Sequence, residues 1–145
     1  MDVKIKKLNL VYRKLNISDY PEFKKLFNNC FKRNISIDFF KWRYLSDKFS
    51  FCYGAFYKLR LIANVGMISI KLNNKENERI ISRHSSMVLK KYRGYGVFSD
   101  LLKRVKKKIS KNIRIVAMWP NKNNFSNFSI QKKKVIKKKY YLYET

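Results

Sequence analysis

Only four glycines occur among the 145 residues, and two of them, Gly94 and Gly96, stand one residue apart in KYRGYGVFSDLLKRVKKK (91–108). Upstream runs the apolar, strand-like RIISRHSSMVL (79–89). Downstream, Val97, Leu101, Leu102, Val105 and Ile109 recur at helical spacing, with lysines on the opposite face. A strand must therefore turn sharply into an amphipathic helix, which makes the fold class α/β. A helix start leaves about four amides without partners and carries a partial positive charge. Glycines in front of it let a bulky anion approach those amides with no Cβ in the way, and Lys91 and Arg93 add mobile positive charge. A plain helix-start turn, with Gly96 serving close packing, uses the same pattern, so a bare Gly-x-Gly does not choose between the two.

The rest of the chain supplies the sheet. LNLVYRKL (8–15) alternates as a first strand. SDYPEFKKLFNNCFKR follows as a helix, with Ser18 or Asp19 as cap, Pro21 in its first turn, and Phe23, Leu26, Phe27 and Cys30 on one face. ISIDFFKWRYL reads as a shorter helix capped by Ser36. FSFCYGAFY and LIANVGMISIKL form a hairpin across Lys58–Leu59. NNKENE is a polar loop before the strand at 79–89. After the glycine turn, a helix is expected from about Gly94 to Ser110. NIRIVAMW is a nearly continuous apolar run, the pattern of a strand covered on both faces. A loop and short helix then follow Pro120, and VIKKKYYLY is a last strand. The order is β-α-α-β-β-β-α-β-α-β, a mixed central sheet of about six strands flanked by helices. No repeat or linker divides residues 1–145, so a single domain is expected.

Composition bounds the partners. The net charge is +26, from 35 Lys and Arg against nine acids. Its functional reading is a polyanion: nucleic acid, an anionic membrane surface or a phosphorylated substrate. Its bland reading is codon bias, which the 14 Asn and three Ala also reflect, though bias leaves the scarcity of Asp and Glu unexplained. Cys30 and Cys52 have no metal-ligand spacing, and one histidine argues against zinc. Two free cysteines fit a cytoplasmic setting. The N-terminal stretch lacks the apolar core of a signal peptide, and no window approaches the ~20 apolar residues of a membrane span.

MVLKKYRGYGVFSDLLKRV resembles the acetyl-CoA-binding signature of the GNAT N-acetyltransferase superfamily: strand, short turn, Arg-Gly-x-Gly, then an amphipathic helix with paired leucines. The flanking order of elements matches as well. FFKWRYL and the later MWPN are similar to one branch of that family. The likeness spans nearly the whole chain, and its specific part is 87–105. It implies an acetyl-CoA-dependent N-acetyltransferase in which an acceptor amine attacks the thioester directly. Carried over by position, Val88, Leu89 and Lys90 would bind the pantetheine arm through their backbone. The pyrophosphate would lie on the amides of Arg93, Gly94, Tyr95, Gly96, Val97, Phe98 and Ser99, and Asn121 would touch pantetheine. Read from Lys91, the family pattern has both glycines but Lys in first place. Read from Arg93, it has Phe98 where a small residue is usual.

The resemblance also places the chemistry. A strand amide would polarise the acetyl carbonyl, and a base on the strand before the turn would take the amine's proton. His84 shares strand parity with Val88, which assigns both to one side, and its ordinary pKa suits a base near neutrality. Glu78 has the same parity and is the second candidate. The opposing reading makes His84 a surface or packing residue, and a water chain needs neither. The family's tyrosine acid falls at Phe128, which cannot protonate a thiolate, leaving Tyr140 or Tyr141 as substitutes. Trp42, Arg43 and Tyr44 lie where the family binds its acceptor, though such residues also pack a helix on a sheet. The C-terminal strand pair is short by one strand, an open acceptor side or one that a homodimer completes. The alternatives to an enzyme are a basic nucleic-acid-binding module, with weak polyanion contact through its lysines, and a CoA-binding GNAT-like protein without catalysis.

Overall fold

Two strands in the middle of the chain carry long unbroken buried runs, and this dictates the layering. The structure, a computed structural model, describes residues 9–71, 79–109 and 115–117. In β2 (Phe51–Tyr57) every residue but the last is buried, and in β3 (Arg60–Lys71) Leu61 through Met67 are. Such runs need cover on both faces, and helices supply it. The elements follow as β1 (Leu10–Lys14), α1 (Tyr20–Phe31), α2 (Ile37–Tyr44), β2, β3, β4 (Arg79–Val88), α3 (Val97–Lys108) and β5 (Ile115–Ala117). The sheet order is β1-β2-β3-β4-β5, antiparallel throughout except for the parallel β4–β5 pair.

Parity assigns the helices to faces. Tyr44 of α2 lies against Gly66, where an added Cβ would sit 2.7 Å from its ring. Tyr12 pairs with Ala55 and Ala55 with Ala63, on the face opposite Gly66, and there the guanidinium of Arg104 in α3 covers the Tyr12 ring at 4.3 Å. Hence α2 packs on one face and α3 on the other. α1 joins α2 through an aromatic cluster: Phe23 lies 4.7 Å from Phe40 and 5.7 Å from Tyr44, centroid to centroid, and all three are fully buried. On the far face Val97, Leu101 and Val105, one helical turn apart, are buried.

The helix starts follow local chemistry, with one difference. Ser36 caps α2 by accepting the Phe39 amide at 3.1 Å, as expected. Asp19 holds the cap position of α1, yet its carboxylate turns back instead. It takes two hydrogen bonds from Arg13, 2.6 and 2.5 Å, and one from the Asn16 amide at 2.9 Å. A paired guanidinium outcompetes a helix amide for a carboxylate, and Arg13 holds the Asp19 carboxyl below its usual range. α3 begins at Val97 rather than near Gly94, because both glycines adopt positive φ.

Five strands are described. The expected short helix after Pro120 and the last strand lie outside the described residues, as do Glu78, Asn121, Phe128, Tyr140 and Tyr141. No helix among the described residues is long and apolar enough to cross a membrane.

Candidate functional site

The turn that joins β4 to α3 is held at its start and open at its end. The Leu89 amide continues the ladder to the Ile62 carbonyl at 2.9 Å, and a single 3-10 turn (Lys90–Tyr92) follows. Tyr92 anchors that turn, buried beside the Tyr57 ring at 6.2 Å. Then Gly94 takes φ 84° and Gly96 φ 73°, and a Cβ added at either would meet nothing within 4 Å among the described residues. These glycines answer to backbone shape and not to crowding. The first helical hydrogen bond runs from the Asp100 amide to the Gly96 carbonyl at 3.0 Å. The amides of Val97, Phe98 and Ser99 therefore precede the ladder, at the positive end of the helix dipole. Lys90, Lys91, Arg93 and Tyr95 are exposed around them. Phe98 is half-buried on the core, with the Arg83 guanidinium 5.7 Å from its ring. It thus packs inward at a position where the open side of the turn needs no side chain.

Expected contact groups on β4 are partly engaged already. The Val88 carbonyl accepts from Arg93 Nε at 3.0 Å and from Cys30 Sγ at 3.7 Å, and the Leu89 amide is spent in the ladder. The Lys90 carbonyl accepts from the Arg93 amide at 3.2 Å.

Three residues before Val88 the strand is irregular. Asn64 pairs with Met87 and Gly66 with His84, so Ser85 and Ser86 face the single residue Val65. This is a β-bulge, and Ser85 sits in it at φ 44°. The bulge changes the parity. His84 falls on the Gly66 face and Val88, paired with Ala63, on the other, so the expected shared side of His84 and Val88 does not hold. An inserted residue reverses alternation for everything beyond it.

The bulge is gripped from α2. Arg43 Nη2 lies 3.0 Å from His84 Nδ1, and Ser82 Oγ lies 2.8 Å from Nε2. A guanidinium only donates, so Nδ1 accepts and the Nε2 hydrogen is donated to Ser82. Burial first, and the Arg43 charge second, hold the His84 pKa below its ordinary value. The next residue, Tyr44, hydrogen-bonds the Ser85 hydroxyl, and Asn64 Nδ2 donates to the Ser85 carbonyl at 3.2 Å. Burial pushes the Tyr44 phenol up to about 12. Trp42 points elsewhere: it is 64% exposed and its ring lies tilted against Phe39, 5.5 Å between centroids. Trp42 and Tyr44, grouped in the sequence, thus part company. Ser82, Ser85 and Asn64 were not singled out. Asn64 had a signal, as a lone amide inside the apolar run LIANVGM. Among the described residues no three His, Cys, Asp or Glu side chains are grouped to hold a metal ion.

A helix N-terminus opened by two glycines, where the sheet crosses to its parallel strand pair, can receive an anion. The sequence model of the acetyltransferase (GNAT) domain matches residues 11–131, and the chain belongs to that family. No curated protein matches it in sequence. Among solved structures it is similar to an aminoglycoside acetyltransferase from an uncultured soil metagenomic sample, in complex with sisomicin: 14% identical, TM-score 0.72, covering 94% of this chain and 95% of that one. An acetyltransferase of Trypanosoma brucei is 13% identical with TM-score 0.70, covering 94% and 100%. A ribosomal-protein-alanine N-acetyltransferase of Brucella melitensis biovar Abortus 2308 is 17% identical with TM-score 0.68, covering 94% and 99%. At these identities the likeness is one of fold.

Proposed function

We propose that this chain is a cytoplasmic N-acetyltransferase that takes its acetyl group from acetyl-CoA and gives it to an amine of the acceptor. One observation carries the reading: Gly94 and Gly96 are both left-handed, open in front, and lead into three amides that precede the α3 ladder. That combination suits a pyrophosphate, which needs converging N–H donors and room for its oxygens. Family membership supports the same assignment. Arg93 through Ser99 would hold the pyrophosphate, with Lys91 and Arg93 supplying charge. Val88, Leu89 and Lys90 would run beside the pantetheine arm with Asn121. The Val88 carbonyl would meet it only in exchange for one of the two hydrogen bonds it already accepts, from Arg93 and Cys30. Acetyl-CoA supplies an activated thioester, and the residues of this chain hold the acceptor amine close to it and receive the amine's proton. His84 is a base in this scheme once Arg43 releases Nδ1, with Glu78 as the other carrier; exposed Trp42 would face the acceptor, and buried Tyr44 would support that side from beneath.

Ligand-dependent melting at two salt concentrations tests the reading against the basic-module alternative. A ligand confined to the folded state adds RT ln(1 + [L]/Kd), about 2.7 kcal/mol at a hundredfold excess over Kd. Acetyl-CoA should raise Tm at physiological ionic strength, where screening sets in over ~8 Å. Random duplex DNA should bind at low salt and largely dissociate there, because counterion release makes diffuse contacts steeply salt-dependent. DNA held tightly at physiological salt, together with no acetyl-CoA shift, overturns the proposal.

A further inference from the structure

Two arginines held against the sheet meet carboxylates: Arg13 pairs with Asp19, and Arg79 with Asp47. Arg43 does not. It is half-buried on α2, with Nη2 3.0 Å from His84 Nδ1 and the Tyr44 phenol as its other polar neighbour. Both neighbours are uncharged at neutral pH, since Nδ1 accepts from Arg43 and burial pushes the phenol up to about 12. Among the described residues no carboxylate pairs with Arg43. A guanidinium presents its N–H donors as a fork that fits two oxygens of a carboxylate or phosphate. Here that fork rests on a neutral ring. A cation left over from the scarcity of acids would extend into water, whereas this one is turned in against β4.

The pairing also blocks chemistry. His84 can take a proton only on a free lone pair, and Arg43 occupies that of Nδ1 while the Nε2 hydrogen goes to Ser82. Among the described residues Arg43 supplies the charge that acts on the ring, and it disfavours the imidazolium. Whatever draws Arg43 away therefore frees this base and strengthens it. An anion does both. The outer side of α2 is fitted for the rest of a small amine. Phe39 and Trp42 are exposed there, one turn apart, and the Arg43 guanidinium lies 5.4 Å from the Phe39 ring.

We infer that Arg43 determines which amines the acceptor site takes: its guanidinium binds an anionic group, carboxylate or phosphate, that the acceptor carries beside its amine, and in doing so surrenders His84 Nδ1. The uncharged amine attacks the acetyl carbon, the C–N bond forms and the C–S bond breaks. Nδ1 takes the proton that the nitrogen sheds, and CoA leaves as the thiolate. This rests on the acetyl-CoA reading above, and it adds the class of the acceptor.

Two matched pairs of amines test it on the full chain with saturating acetyl-CoA: L-phenylalanine against its amide, and O-phosphoethanolamine against ethanolamine. CoA release reports turnover. In at least one pair the anionic member should have the higher kcat/KM by about tenfold or more, the worth of a charge-assisted hydrogen bond, and that pair names the anion. In Arg43→Gln the preference should vanish. A second readout uses the fact that His84 is the chain's only histidine, so its imidazole gives one NMR signal to titrate. The preferred anionic amine should raise the His84 pKa, and its uncharged partner should not. Arg43→Gln should raise it with no ligand and make it indifferent to both. A merely structural Arg43 would move Tm and leave the preference and the ligand response intact, which overturns the inference. So do equal turnover within both wild-type pairs, and a wild-type His84 signal that ignores both anionic amines; these two decide even where the variant fails to fold. Acetyl-CoA that binds but acetylates none of the four overturns the inference and leaves the acetyl-CoA reading standing. Acetyl-CoA that does not bind overturns both.

Discussion

The four glycines divide into two pairs with opposite reasons for being glycine. At Gly54 an added Cβ would sit 2.5 Å from Leu61 and 2.6 Å from Leu15, and at Gly66 it would sit 2.7 Å from Tyr44 and 3.1 Å from the His84 carbonyl. Neighbours already fill that space. At Gly94 and Gly96 no described residue fills the space, and the backbone is left-handed. The first pair lets the protein approach itself; the second lets the backbone turn left-handed. Crowding selects glycine at the first pair, and φ selects it at the second.

The largest effect that separates the pairs is on stability. Gly66→Ala pushes a methyl into the Tyr44 ring and against backbone, and overpacking of this kind costs about 1–3 kcal/mol. Tm should fall by roughly 5–10 °C in a chain of this size. Gly94→Ala meets no atom and bears only the left-handed penalty, on the order of 1 kcal/mol, so it should lose clearly less. Equal losses in a melting series would erase the distinction between the pairs.

The next effect is on ligand. Gly96→Asp and Gly96→Asn have nearly the same shape, and both residue types tolerate the left-handed region. They differ in charge beside the proposed pyrophosphate. Acetyl-CoA affinity should fall at least tenfold further for Asp than for Asn, about 1.4 kcal/mol. Titration calorimetry showing equal affinities would remove anion contact from this turn.

The smallest effect concerns pH, and it should sit with the packed pair. His84 lies beside Gly66, and its pKa in the folded chain is below the ordinary 6.5. The unfolded chain therefore binds more protons, and stability rises with pH across the window between the two values. The contribution is full above 6.5 and is lost as pH falls through the lowered folded value. Denaturant unfolding of the wild type should weaken from pH 7 towards pH 5 more steeply than that of His84→Gln. Parallel slopes would show that His84 carries no such linkage.

Much of this was legible before any coordinates. Periodicity marks α3, continuous apolar runs mark β2 and β3, and Ser36 announces α2. Gly94 and Gly96 mark the crossing because backbone chemistry alone restricts what can stand at positive φ. The side of the sheet on which His84 lies was not legible. Parity counting assumes an unbroken strand, whereas the bulge is set by pairing with β3, a partner some 20 residues away in sequence. For the same reason Ser85 looked like any serine. Local sequence offers Ser18 or Asp19 as the cap of α1, because the pull of Arg13 on Asp19 depends on where β1 lies, which local sequence does not encode.

The sheet order repeats the chain order, and this sets a direction of assembly. Strands β1 to β4 add one beside another, each finding its partner in the strand that came before. The fifth runs parallel, so it joins only after α3 has been laid across the face. Among the described strands, the glycine crossing therefore belongs to the one pair that cannot form until a helix has bridged its two members.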